Sequence, residues 1–108
     1  MYSIVLEAKT DPQIVFNTPL NKIGKIKYIQ IDNQAGSSIT ITIQDKFLPT
    51  PSAGNPSPSE VTKDKKVITV GAGSTFKEKI EIDILGTCLL VASATDSACK
   101  ITILYEFE

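Results

Sequence analysis

Apolar and polar residues alternate with a period of two along most of this chain, the mark of strands that turn one face to a core. The clearest run is Ser38 to Asp45, where Ile39, Ile41 and Ile43 share one face and Thr40, Thr42 and Gln44 the other. Thr75 to Ile84 repeats it, with Phe76, Ile80, Ile82 and Ile84 inward and Lys77, Lys79, Glu81 and Asp83 outward. Tyr2 to Ala8, a short Gln13 to Phe16, Lys25 to Asp32 and Lys65 to Val70 read as further strands. Cys88 to Ala92 is apolar on both faces, which predicts a central strand. A last strand runs from Cys99 to about Phe107, with Cys99, Ile101, Ile103, Tyr105 and Phe107 on its inner side. Turn formers separate these segments: Asp11-Pro12, Thr18-Pro19, Asn33 to Ser37, Gly71 to Gly73, Gly86, and Ala94 to Ala98. No stretch longer than a turn carries the helical period.

Short strands at this spacing predict an all-β fold, a single antiparallel β-sandwich of about seven to nine strands without significant helix. Jelly-roll and immunoglobulin-like windings both fit. Residues 1–108 make one domain, because 108 residues suffice for one core and not for two.

The irregular stretch is Lys46 to Asp64, which holds Pro49, Pro51, Pro56 and Pro58 among Ser, Thr, Ala, Gly and Asn. Its composition favours extended, polyproline-like backbone facing solvent, and loops of this length are often functional. Phe47 and Leu48 stand at its start. The six residues Phe47, Leu48, Pro49, Pro51, Pro56 and Pro58 are therefore the candidate protein-interaction site, an arm reaching a neighbouring subunit or receptor. A tolerated surface insertion is the bland alternative, since long loops add little closure entropy.

Composition removes most chemistry. The chain has no His and no Trp, and its basic residues are all Lys. Without His there is no proton shuttle near neutrality, no imidazole metal ligand and no Ser-His-Asp or Cys-His arrangement. Without Arg, bidentate contacts to phosphate, carboxylate or guanine are missing. A net charge of −1 with dispersed lysines leaves no nucleic-acid footprint. Asp11, Asp32, Asp45, Asp64 and Asp96 lie near strand ends without ligand-like clustering, and Asp is a turn residue in its own right. The sequence thus predicts no catalytic residue, no cofactor and no metal site. The Lys77–Asp83 stripe reads as a solvated face that guards a strand edge.

Cys88 and Cys99 are the two cysteines. If the last two strands formed a hairpin, the thiols would be offset along it by roughly 17–20 Å at strand rise. A disulfide needs Cα atoms within about 7 Å. Two buried reduced thiols are expected.

Lys66-Val67-Ile68-Thr69-Val70-Gly71-Ala72-Gly73-Ser74, then an alternating strand, Gly86, an apolar strand, a polar turn and a final alternating strand form a pattern across residues 66–108. It resembles that of small β-sandwich virion proteins of phages and archaeal viruses. Tyr28 to Asn33, followed by the Thr/Ile strand, is similar in style. The resemblance covers about half the chain and rests on the order of strands and turns, which adhesin and extracellular sandwich domains share. It implies a non-enzymatic structural role as a minor capsid, decoration, turret or spike component. The partners would be further copies of the chain or other virion proteins, in a homo-oligomer or docked on a lattice. The alternative is a small binding module that recognises a carbohydrate, peptide or host surface through the Pro-rich loop. The N-terminal residues lack the basic start and apolar run of a signal peptide, and no segment has the length of a membrane span. Synthesis in the cytoplasm and a final place in the virion are the expectation.

Overall fold

The alternating segments fold as strands almost where their pattern places them, because β-branched residues at every second position suit a pleated surface buried on one side. The computed structural model describes residues Met1 to Glu108. The strands are β1 (Tyr2–Ala8), β2 (Gln13–Asn17), β3 (Gly24–Asn33), β4 (Ile39–Phe47), β5 (Val61–Val70), β6 (Ser74–Ile84), β7 (Thr87–Ala92) and β8 (Asp96–Phe107). There is no helix. All pairings are antiparallel, in two four-stranded sheets: sheet A in the order β1-β8-β3-β6 and sheet B in the order β2-β7-β4-β5.

The first strand pairs with the last, the second with the second-last, and so inward to β4 and β5. Pairing of β8 with β3 and of β7 with β4 completes the sheets. A long hairpin rolled into two sheets in this way is a jelly roll. The observed strand order thus excludes the immunoglobulin-like winding that the residue pattern also allowed. Only β4 and β5 are neighbours both in sequence and in a sheet; every other link crosses from one sheet to the other.

The hairpin expected of the last two strands does not form. β7 lies in sheet B, and β8 lies in sheet A. Cys88 stands opposite Asp45 and Phe16, and Cys99 opposite Asn33, so the thiols belong to different sheets and opposite ends of the sandwich. Both are buried and free. The expected state is observed, for a different geometric reason.

Other boundaries move too. β4 continues through Phe47 and β5 starts at Val61, where the two pair, so the irregular segment is 48–60 and not 46–64. β8 begins at Asp96, opposite Ala8, and reduces the preceding turn to residues 93–95. In each case a partner strand extends a segment whose own composition reads as turn.

The core is a cluster of 21 buried apolar residues. Ile26, Ile29, Ile31, Ile39, Ile41, Ile43, Ile84, Leu90, Ile101 and Ile103 are its largest fully buried side chains. The inner face of β3 passes from Ile26 to Ile29 across a register shift against both neighbouring strands. This bulge turns Lys27 and Tyr28 away from the core together. Lys27 Nζ then sits 3.1 Å from Glu81, 3.5 Å from Glu106 and 3.6 Å from Glu108.

Strand register sorts the loops into two groups. Segments 18–23, 48–60 and 85–86 meet at one end, where Thr87 faces both Asn17 and Lys46 and Gly24 faces Ile84. Segments 9–12, 34–38, 71–73 and 93–95 meet at the other, where Asn33 faces Ser74 and Cys99, and Ala8 faces Asp96.

Candidate functional site

The end that carries segment 48–60 is organised around a buried carboxylate. Asp45, on the inner side of β4, is 1% exposed. Its Oδ2 accepts from the backbone N–H of Leu85 at 2.9 Å and its Oδ1 from that of Gly86 at 3.0 Å. Charge-assisted bonds of this kind are roughly twice as strong as neutral ones. A Cβ at position 86 would lie 2.3 Å from the carbonyl oxygen of Lys46, so only glycine lets the turn approach β4 this closely. Thr18 ties in the next loop: its N–H donates to Gly86 O at 3.0 Å and its hydroxyl to Ile84 O at 3.3 Å. The 85–86 turn is therefore fixed from beneath, and it holds the Leu85 side chain outward at 55% exposure.

Leu85 is not alone. Leu48 is 61% exposed, Leu20 90% and Ile23 38%. These four are all the large apolar residues that loops expose, and all lie at this end. The 18–23 loop is anchored by backbone bonds exchanged between Ile23 and Glu108 at 2.8 and 3.0 Å. Between the base of segment 48–60 and the 85–86 turn lies a groove of about 300 Å³, lined among others by Phe47, Leu48, Pro49, Glu60 and Leu85.

The six residues singled out from sequence divide. Phe47, Leu48 and Pro49 come together on the groove. Phe47 ends β4, half-buried, with Lys63 Nζ 5.9 Å from its ring centroid, within cation–π range. Pro51 and Pro56 are exposed and Pro58 half-buried, away from the groove. The segment is not uniformly extended as its prolines predict. Ser52 and Asn55 exchange backbone bonds at 3.0 and 3.1 Å and close a tight turn over Ala53-Gly54. Sequence reasoning missed Leu20, Ile23 and Leu85. Their signal was a large apolar residue set among turn formers, as in Pro19-Leu20-Asn21 and Leu85-Gly86, where polar residues are the norm.

Elsewhere the polar groups satisfy one another. No buried side-chain nitrogen or oxygen lacks a hydrogen-bond partner. Asp32 accepts from Gln34 and Thr75, Asp64 from Gln44, and Asp96 from the N–H of Ala98. No three His, Cys, Asp or Glu side chains gather as metal ligands. Burial, and then the nearby Asp45 charge, push the Cys88 thiol up to about 12. Burial, followed by Asp96 and Asp32, raises Cys99 as well. Neither thiol is a nucleophile near neutral pH. A second hollow of about 470 Å³ lies on sheet A at the bulge, between Lys27, Tyr28, Lys79 and Leu104; the carboxylates around Lys27 already neutralise its charge.

No protein-family model, curated protein or solved structure matches this chain.

Proposed function

We propose that the chain is a non-enzymatic structural subunit that assembles through its apolar loop end, in the role of a minor capsid, decoration, turret or spike component of a virus particle. The observation that carries the assembly role is the gathering of Leu20, Ile23, Leu48 and Leu85 at one end, over a turn fixed by Asp45. Apolar anchors held rigidly in place lose little entropy on binding, which is the property of interface hot spots. The virion as the setting draws on the jelly-roll winding, which capsid domains use, and on the strand order of residues 66–108. That part of the reading is an analogy of fold.

The test is the solution mass of the purified chain by light scattering over a wide concentration range, alone and with candidate virion components. Assembly beyond a dimer, or docking on those components, that is lost in a Leu48→Lys/Leu85→Lys double variant with an unchanged circular dichroism spectrum supports the reading. Assembly beyond a dimer, or docking on those components, that is indifferent to both substitutions refutes it. The groove beside Leu48 and Pro49 favours one second reading, a module that binds a peptide, carbohydrate or host surface there. Deleting residues 49–58 separates the two: loss of ligand binding with assembly intact selects the module.

A further inference from the structure

A strand at the edge of a sheet leaves backbone N–H and C=O groups unpaired, and stable monomers guard such edges with charge, brevity, proline or a bulge. This sandwich has four edges: β1 and β6 in sheet A, β2 and β5 in sheet B. Three are guarded. β6 presents Lys77, Glu78, Lys79, Glu81 and Asp83. β5 carries Lys63, Asp64, Lys65 and Lys66 and is interrupted by a register shift. β2 has only 5 residues and shifts register between Ile14 and Phe16. β1 differs from all of these. From Tyr2 to Leu6 it has no charge and no proline, and its pairing with β8 runs unbroken from Tyr2 to Glu7. Val5 is 62% exposed on its outer side, and the inner Ile4 and Leu6 are only half-buried.

We infer that β1 is a pairing edge for β1 of a second copy of this chain, joining two sheets A into one continuous sheet across a twofold axis. The inference goes beyond the loop-end reading: it adds a second surface and names the occupant of it. A twofold interface must be complementary to itself. The β5 edge would meet its own copy with lysines close by, whereas Tyr2 to Leu6 has no charge to repel or to desolvate. Antiparallel pairing centred on Ile4 sets Ile4 opposite its copy, Tyr2 opposite Leu6 and Ser3 opposite Val5. Inner residues then face inner residues, and the exposed flanks of Ile4 and Leu6 are covered; a slip of one residue would mix the two faces. The adjoining outer row on β8, Leu104 beside Ser3 and Thr102 beside Val5, is also uncharged. Because the paired strands are antiparallel, the two apolar loop ends would point to opposite poles of the dimer, both free for other contacts.

The experiment is light scattering of three full-length chains over the same concentration range: wild type, Val5→Lys, and Leu48→Lys/Leu85→Lys. Val5 points to solvent in the isolated chain, so Val5→Lys leaves the fold intact, checked as an unchanged circular dichroism spectrum. The inference expects a wild-type dimer, weakened at least about a hundredfold by Val5→Lys and preserved in the loop-end variant. Mixing Ser3→Cys and Val5→Cys chains under oxidation gives a cross-linked heterodimer, as opposed strand positions lie within disulfide reach. A wild-type mass of one chain at every concentration, or a dimer that survives Val5→Lys, overturns the β1 inference. Both leave the loop-end reading to its own variants, so failure of one is distinct from failure of the other.

Discussion

The two ends of the sandwich are built on the same strands and spend their polar residues differently. At the end formed by 9–12, 34–38, 71–73 and 93–95, the loops are stitched to each other. Asn33, fully buried, donates through Nδ2 to the carbonyls of Ser37, Val70 and Gly71 at 3.0, 2.9 and 3.2 Å, and accepts from Ala35 N–H at 3.1 Å. Thr10 N–H donates to the Thr95 hydroxyl, and Gln34 N–H to Ala98 O. No large apolar side chain is exposed in any of these loops. At the other end, Asp45 fixes one turn, and the loops around it present leucines to solvent. A buried polar residue that bonds to several loops closes an end; one that props a single turn leaves the apolar side chains above it in solvent.

The largest break in that contrast is expected from Asn33→Ala. It removes a donor shared by three carbonyls and an acceptor for one N–H, leaving buried groups unpaired at a cost of about 3 kcal/mol or more. Urea denaturation should show this as a lower midpoint, with assembly retained below the transition. Asp45→Asn should cost about 2 kcal/mol, since an amide keeps one acceptor and turns an N–H donor toward the second backbone N–H. Unlike Asn33→Ala, it also frees Leu85, so light scattering should record weaker assembly under conditions where the chain is still folded. Replacing residues 49–58 by a two-residue turn should change stability by less than about 1 kcal/mol, because the segment is bonded only to itself at Ser52 and Asn55. Assembly should nevertheless fall, which separates contact from folding.

The smallest effect belongs to the exposed ion pairs of sheet A. The Lys25 ammonium, 2.8 Å from Asp83, holds that carboxyl below its ordinary value, and Lys100, 2.7 Å from Glu7, does the same there. A depressed carboxylate contributes fully above its unfolded value, 3.8 for Asp83 and 4.5 for Glu7. The contribution fades as pH falls through the folded values. Thermal melts between pH 6 and pH 2 should show a small acid loss that molar salt suppresses and that leaves the contrast between the ends intact.

Much of this was legible along the chain. The faces of β4, β6 and β8 were readable residue by residue, and the apolar character of Cys88 to Ala92 correctly placed β7 inside its sheet. The bulge in β3 had a signal as well: Ile26 and Ile29 are out of phase, which a regular strand does not permit. The site was read in part. Phe47, Leu48 and Pro49 were found through the prolines, but Leu85 and Leu20 sit in segments too short to draw notice. Asn33 and Asp45 looked like ordinary turn residues, since nothing local distinguishes a solvated Asx side chain from one buried against distant backbone.

By itself the sequence determined where the strands lie, which side chains face inward, and that no imidazole or guanidinium chemistry is available. These follow from periodicity and residue type, which are local. Only the tertiary structure decided that β7 and β8 belong to different sheets, that Asp45 reaches the 85–86 turn, and that Leu20, Leu48 and Leu85 share an end. An alternating strand presents the same inner face whichever strand lies beside it, so partner choice depends on the whole winding and not on any one segment.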